Sequence, residues 1–343
     1  MGLTQQSTKI KSLEDIFNIE KKDDEFMIAL AGNPNTGKST VFNYLTGLKQ
    51  HTGNWPGKTV CTARGDFSHK DINYSLIDLP GTYSLFPLSQ EEIVARDFIC
   101  FGNPDAVIVV CDSTCIERNL NLLFQVMELT DNVILCLNLL DEAKKKGIEI
   151  NKSKLEEMLG IPVVLTAARS GYGMDELKET LNTVVHGNYK FNNKPVYYDD
   201  EIESMVNSIK DELYEIIPSI NPRWLGLRLI DGDESILTSL NDYTENDILH
   251  DLNTIKSKLP DIFDKSKIRM GVVTGGSDNS DNWKAVFDTP FPDNKYIVFI
   301  TPVSNAGKCP TGWYAINFTS TGFIIYCNGT APTSGFAYLA IHV

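Results

Sequence analysis

The chain has 343 residues, enough for about two to three domains, and its 42% hydrophobic content suffices for ordinary cores. A net charge of −14 and a pI near 4.8 argue against a nucleic-acid surface, which needs a basic stripe to neutralise phosphates. The longest apolar runs, 106–111 and 133–140, fall short of the roughly 20 residues of a membrane helix, so no bilayer span is expected.

Residues 1–24 read as a polar, solvated N-terminal extension with a short helix near 13–19. They lack the apolar core and cleavage site of a signal peptide, and position 6 lacks the Ser or Thr of a myristoylation pattern. The next stretch, FMIALAGNPNTGKST at 26–40, organises the chain: an apolar strand breaks into a glycine-bounded loop closed by Lys-Ser-Thr. The spacing Gly32-x-x-x-x-Gly37-Lys38-Ser39 lets backbone N–H groups curl around phosphate oxygens. Gly32, Asn33, Pro34, Asn35, Thr36, Gly37, Lys38, Ser39 and Thr40 are therefore assigned to a nucleotide. Lys38 adds charge at the β and γ phosphates, and the Ser39 hydroxyl is the first Mg²⁺ ligand. Glycine at the loop ends is expected because a Cβ would crowd the phosphates or forbid the turn.

A helix over 39–48 follows, with Val41, Phe42, Leu45 and Leu48 as its buried stripe. Residues 49–59 read as a Gly/Pro/Asn-rich loop carrying Gly57, Lys58 and Thr59, and two strands are expected at 60–67 and 72–77. The second strand ends in Asp78-Leu79-Pro80-Gly81. There Asp78 can hold the Mg²⁺ water shell, Gly81 can offer its N–H to the γ-phosphate, and Thr59 is the second hydroxyl ligand of Mg²⁺. Strands at 106–111, 133–137 and 162–165 alternate with helical patterns, as in a doubly wound parallel sheet. The middle one runs into Asn138-Leu139-Leu140-Asp141, of which Asn138 and Asp141 are assigned to the nucleotide; a buried Asp141 carboxylate would accept from guanine N1–H and N2 but find no donors on adenine. Thr166, Ala167 and Ala168 end the last strand and are placed to give a backbone N–H to guanine O6.

These motifs (GNPNTGKST, HTGNWPGKTV, DLPG, NLLDEA and TAARSGYGMDEL) resemble the guanine-nucleotide-binding domain of the ferrous iron transport protein B family. RWLGLRLIDGDES at 223–235 resembles the helical domain that follows it, so the similarity covers about 26–262. In that part Ile202, Met205, Val206, Ile209, Leu213 and Ile216, and then Ile248, Leu252, Ile255 and Leu259, recur at helical spacing as core. The resemblance implies a Ras-like P-loop NTPase fold at 25–190, a small α-helical domain at 191–265, and a slow GTPase that binds GTP or GDP with Mg²⁺. The family lacks the glutamine that orients water in Ras-like proteins, and here Thr82 follows Gly81. It also implies that Asn35 helps hold K⁺ with carbonyls near Asn54 and Trp55. On this reading Asn35, Lys38, Thr59 and Gly81 carry catalysis. Ala167 departs from the family's usual serine, which removes one side-chain brace of the base loop.

The resemblance stops near 265, where the family continues into a membrane permease; here one would have to be supplied separately. Residues 266–343 read as an all-β module with strands at 296–302, 313–318, 322–327 and 336–343. WYAINFTSTGFIIYCNG and GFAYLAIHV resemble receptor-facing C-terminal modules of phage tail fibres, while an unrelated appended β-sandwich is the plainer reading. Trp283 and Trp313 are read as core aromatics rather than sugar contacts, and SDNSDN at 277–282 as a loop preceding a strand rather than a calcium site. The seven cysteines form no Cys-x-x-Cys pair and are expected as buried thiols, and the five dispersed histidines offer no metal site. The expected function is a cytoplasmic GTP switch, at large or at the inner face of the membrane, with a homo-oligomer through the β module left open. Two alternatives stand beside it: a ribosome- or tRNA-associated GTPase, and an adhesion or tail protein whose β module carries the function.

Overall fold

Continuous apolar runs can be buried on both sides only inside a covered parallel sheet, and this chain builds one. The computed structural model describes residues 11, 16–17, 19, 22, 24–47, 50–55, 60–86, 89–192, 196–244, 248–259, 268–273, 282–287, 296–302, 312–328 and 336–342. Its first strands are β1 (Glu25–Gly32), β2 (Gln50–Asn54), β3 (Cys61–His69), β4 (Ile72–Asp78), β5 (Ala106–Asp112), β6 (Val133–Asn138) and β7 (Val163–Leu165). They form one seven-stranded sheet in the order β2-β3-β4-β1-β5-β6-β7. β4, β1, β5, β6 and β7 run parallel, and β2 and β3 add an antiparallel edge.

Side chains alternate across a strand. Ile28 and Leu30 of β1 therefore join a cluster with Val41, Phe42, Leu177 and Leu181, whereas Met27, Ala29 and Ala31 join another with Phe98, Leu122 and Leu123. The helices behind these clusters are α1 (Lys38–Thr46), α2 (Gln90–Phe101), α3 (Ile116–Leu129), α4 (Leu140–Lys145), α5 (Lys152–Leu159) and α6 (Met174–Val185). Helix α1 buries Val41, Phe42 and Leu45, as expected, and ends at Thr46, before Gly47, whose left-handed φ of 61° suits a residue without a Cβ; Leu48, the last residue of the expected stripe, lies outside the described residues.

Four further helices follow: α7 (Asp200–Ile216), α8 (Pro222–Asp231), α9 (Glu234–Tyr243) and α10 (Leu249–Lys258). Asp199, Asn221 and Asp233 cap the first three by accepting from backbone N–H groups, and Pro222 occupies a first-turn position where its missing N–H costs nothing. Met205, Val206, Ile209 and Leu213 are buried as the spacing requires, and α8 packs on this face with Gly226 near Ile209 and Leu213.

Helix α9 is joined to α2 by a buried ionic network. The Arg96 guanidinium, 0% exposed, donates to Asp97 Oδ1 at 2.7 Å, to Ser235 Oγ at 2.6 Å and to Ser239 Oγ at 3.0 Å, and Ser239 Oγ donates to Asp97 Oδ2 at 3.0 Å. Buried charges persist only when paired and hydrogen-bonded in this way. The network therefore fixes the helical part against the helix that follows the 78–81 turn.

Two expectations are corrected. Gln50–Asn54 is an edge strand of the sheet, not loop, pairing with β3 from Gln50↔Gly65 to Asn54↔Cys61. Edge pairing runs through the backbone, so a polar segment can make it without any apolar alternation. The N-terminal extension is also not simply solvated: Ile16, Phe17 and Ile19 are 6%, 5% and 8% exposed.

The chain divides into two compact units, Met1–Leu259 and Pro260–Val343. The second contains β8 (Ile268–Val273), β9 (Asn282–Val286), β10 (Tyr296–Pro302), β11 (Gly312–Thr319), β12 (Gly322–Asn328) and β13 (Phe336–His342). They form two three-stranded antiparallel sheets, β10-β13-β8 and β11-β12-β9. Strands β8 and β9 were not expected. Residues 277–281 lie outside the described residues, and nothing is described of the side chains of Trp283 and Trp313.

Candidate functional site: a phosphate loop and a base loop joined by Asn138

Strand β1 ends at Gly32, a position that must be glycine: a Cβ there would sit 2.6 Å from the Val110 carbonyl oxygen of β5. Gly37 has φ +80°, and a Cβ there would come 2.4 Å from Asn138 Nδ2. Gly32 is thus required by the close approach of β5, and Gly37 by the nearness of Asn138 and by its left-handed turn, the turn requirement expected from the sequence. Between them Asn35 takes a left-handed φ of 67° and is exposed, and Thr36 is buried with its Oγ1 donating to the Asn33 carbonyl at 3.0 Å. Alternating backbone handedness of this kind turns successive N–H groups toward one concavity. Ser39 and Thr40 are exposed on the first turn of α1. Asn33 is buried and turned to the α3 side, donating from Nδ2 to the Arg118 carbonyl at 3.4 Å, and Pro34 lies against Gly81.

The Asp78–Gly81 turn is seated beside this loop. The Thr82 N–H donates to the Gly32 carbonyl at 3.3 Å, and a Cβ on Gly81 would lie 3.5 Å from Pro34 Cα. Lys38 Nζ pairs with the Asp78 carboxylate and donates to the Leu79 carbonyl at 2.7 Å. Burial pushes the Asp78 carboxyl above its ordinary value, and the Lys38 ammonium pulls against that shift. Thr82, which follows Gly81, is buried.

On the base side, Asn138 at the end of β6 is 1% exposed. Its Nδ2 donates to the Thr36 carbonyl at 3.0 Å, and its Oδ1 accepts from the Ala168 N–H at 3.0 Å and from Thr166 Oγ1 at 3.2 Å. Asn138 is thus a brace between the phosphate loop and the base loop, where the sequence suggested direct nucleotide contact. The Ala168 N–H, expected at guanine O6, is engaged by Asn138, and the Ala167 N–H by the Tyr172 carbonyl at 3.0 Å. The serine absent at 167 is offset locally, since Ser170 Oγ donates to the Ala167 carbonyl at 3.0 Å. Asp141 is exposed in the first turn of α4 instead of buried, so the penalty for mismatching it applies only once a base covers it.

Trp55 is 2% exposed, and its N–H donates to the Val60 carbonyl at 2.9 Å. The ring lies edge-on to Phe17 and Phe98, with centroids 5.5 and 5.4 Å away. Its Nε1–H is buried without a hydrogen-bond partner among the described residues, a cost of ~1–3 kcal/mol that the aromatic contacts must offset. Gly57, Lys58 and Thr59, the expected second Mg²⁺ ligand among them, lie outside the described residues.

Of the described thiols, Cys136 lies behind the base loop, with its Sγ 3.3 Å from Thr166 Oγ1. Cys100, Cys111 and Cys136 are buried, as expected, and burial pushes the Cys136 thiol up to about 12; Cys61 and Cys115 are exposed, against expectation. Among the described residues no group of three or more His, Cys, Asp or Glu could hold a metal ion, and no helix is long and apolar enough to cross a membrane. Sequence reasoning missed Phe17 and the Arg96–Asp97 pair. The second carries a visible signal, because two adjacent charges interrupt the otherwise apolar face of IVARDFICF.

Comparison with known proteins matches residues 26–181 to the family model "Ferrous iron transport protein B" and residues 198–270 to "FeoB cytosolic helical domain". The Fe(2+) transport protein A/Fe(2+) transporter FeoB fusion protein of Porphyromonas gingivalis is 37% identical over 236 residues, 67% of this chain and 28% of that protein. The Fe(2+) transporter FeoB of Escherichia coli K12 is 40% identical over 212 residues, 60% of this chain and 27% of that protein. The chain thus spans under a third of the length of either relative. Among solved structures, the cytosolic domain of T. maritima FeoB in a GDP form is 37% identical with a TM-score of 0.59, covering 68% of this chain and 94% of that one. Its GMPPNP form is 37% identical with a TM-score of 0.56, covering 68% and 95%.

Proposed function

The chain belongs to the ferrous iron transport protein B family, and we propose that its N-terminal unit is a guanine-nucleotide switch that binds GTP with Mg²⁺ and hydrolyses it slowly. The observation that carries this reading is the Asn138 brace. One buried amide fixes the phosphate loop at Thr36 and the base loop at Thr166 and Ala168, so phosphate and base recognition share a single rigid frame. Such preorganisation spares a ligand the cost of ordering two loops.

Within that frame the residues divide the work. Backbone N–H groups of residues 35–38 receive the phosphates, and Lys38, already carried on Asp78 and the Leu79 carbonyl, has only to shift its ammonium toward the β and γ oxygens. The glycine cradle and the Ser39–Asp78 oxygen donors fit a phosphate-bound hard cation; Ser39, Asp78 and Thr59 would hold Mg²⁺, which supplies charge against the β and γ oxygens. Gly81, beside Pro34, is suited to report the γ-phosphate through its N–H. Asp141, exposed at the mouth of the base loop, is free to accept from guanine N1–H and N2. The left-handed, exposed Asn35 favours a K⁺ site in which the cation offsets charge between the β and γ phosphates.

We carry over from the relatives, as proposals, the coupling of this switch to Fe²⁺ passage through a permease supplied separately, and a place at the cytoplasmic face of the membrane. For the C-terminal unit, its two antiparallel sheets favour an appended β module, and the phage tail-fibre resemblance is tested by glycan-array binding of the full chain. Equilibrium titration with fluorescent GDP and ADP tests the nucleotide reading: GDP should bind and ADP should not. Equal affinity for both would overturn it.

A further inference from the structure

We propose that Gln125 and Asn121 of α3 are positioning residues for the nucleotide switch, holding the Thr82–Leu85 segment so that Gly81 stands ready for a γ-phosphate. The proposal rests on the nucleotide reading above and adds two side chains that lie outside every nucleotide motif of the sequence.

Residues 82–86 leave the Asp78–Gly81 turn and belong to no strand or helix, so their backbone groups need partners from elsewhere. Thr82 uses its N–H at the Gly32 carbonyl, 3.3 Å away. The next partners come from α3. The Leu85 N–H donates to Gln125 Oε1 at 2.5 Å, Gln125 Nε2 donates to Asn121 Oδ1 at 3.5 Å, and Asn121 Nδ2 donates to the Tyr83 carbonyl at 3.3 Å. Two amides one helical turn apart thus close a continuous chain of hydrogen bonds that begins and ends on the backbone of the same segment. Leu85 is 6% exposed, in the cluster with Val94, Phe98 and Leu122, so Gln125 satisfies an N–H at a buried residue. On the same face of α3, the Arg118 guanidinium lies 4.9 Å from the centre of the Tyr83 ring, and the Arg118 carbonyl accepts from Asn33 Nδ2 of the phosphate loop at 3.4 Å. The first half of α3 therefore holds the phosphate loop and the 82–85 segment together. Gly81 already stands beside that loop, since a Cβ on it would lie 3.5 Å from Pro34 Cα. With the residues after it tied down, Gly81 need not be ordered when a γ-phosphate arrives. A diphosphate makes no use of Gly81, so the tether should matter to GTP and little to GDP.

The test is equilibrium binding of two fluorescent nucleotides, GMPPNP and GDP, to the full chain in Mg²⁺. Gln125→Met, which keeps the length of the side chain and removes both of its bonds, should weaken GMPPNP about three- to tenfold and leave GDP within about twofold of wild type. Gln125→Glu keeps the acceptor for the Leu85 N–H and should stay closer to wild type than Gln125→Met. Asn121→Ala, at an exposed position where folding tolerates the change, should show a smaller selective loss of GMPPNP. The double variant should be no weaker than Gln125→Met, because the two amides act as one chain. Leu252→Ala, a buried change in α10, should lower thermal stability without altering the ratio of the two affinities. Unchanged GMPPNP binding in Gln125→Met and Asn121→Ala, equal loss of both nucleotides, or the same selective loss in Leu252→Ala would overturn the assignment. Wild-type protein that binds neither nucleotide would overturn the nucleotide reading and this assignment together, whereas normal wild-type binding with an indifferent Gln125→Met overturns this assignment alone.

Discussion

Asn138 and Thr36, 102 positions apart in the chain, are joined by a buried hydrogen bond of 3.0 Å from Nδ2 to the carbonyl oxygen. The same amide leaves no space for a side chain at Gly37. Asn138→Ala removes this donor and the acceptor used by Thr166 and Ala168. Each buried group left unpaired costs ~1–3 kcal/mol. GDP affinity should fall by about tenfold or more, and thermal unfolding should shift down by several degrees; calorimetric titration and melting curves check both.

Asp141→Asn should leave the fold nearly untouched, since an exposed surface change usually costs within about 0.5 kcal/mol. Its effect should fall on the base. An amide presents a donor where guanine N1–H also donates, so GTP should weaken and xanthosine triphosphate, which offers an acceptor, should gain. Competition binding between the two nucleotides measures this.

Asn35→Ala tests the cation reading. Wild-type turnover should rise when K⁺ replaces Na⁺, and the variant should turn over equally in both salts. Because Asn35 is exposed with a φ of 67°, alanine there is mildly strained, and a melting curve separates that from the loss of K⁺ response.

Asp78 gives a pH signature. Burial raises its folded-state pKa above the unfolded value, so the folded protein holds this proton more tightly. The group's contribution to stability is then full below the ordinary carboxylate range and is lost as pH rises through the raised value. Asp78→Asn cannot titrate, so the stability difference between wild type and variant should move in the variant's favour over that window. Urea denaturation in EDTA from acidic to neutral pH checks the sign. With Mg²⁺ restored, hydrolysis by the variant should be strongly reduced.

Arg96→Ala leaves Asp97 as a buried charge without its guanidinium partner, and breaking such a pair costs about 3–5 kcal/mol. The double change Arg96→Met with Asp97→Leu should recover much of that loss. Denaturant titration of the single and double variants checks it.

Much of the nucleotide half was legible because its chemistry is local. Gly32 to Thr40, Asp78 to Gly81, and Asn138 to Asp141 are short runs whose spacing states a geometry, and the sheet brings them to one edge. The reasons behind individual residues were less legible. Gly32 and Gly37 answer to Val110 and Asn138, partners dozens of residues away, and Asn138 proved to be a brace. Phe17 could not be read at all, since a lone aromatic in a polar segment has no period and its partners at 55, 98 and 243 meet it only in the fold. Strand β2 was hidden for a related reason: QHTGN has no apolar alternation, and strand pairing runs through the backbone.

The most direct test of the nucleotide switch is steady-state phosphate release by the full chain in Mg²⁺ and K⁺, with GTP and ATP compared at equal concentration. Slow release from GTP, none above background from ATP, and its loss in Lys38→Ala is the predicted result. Release from ATP as fast as from GTP, or no release from GTP, would contradict it.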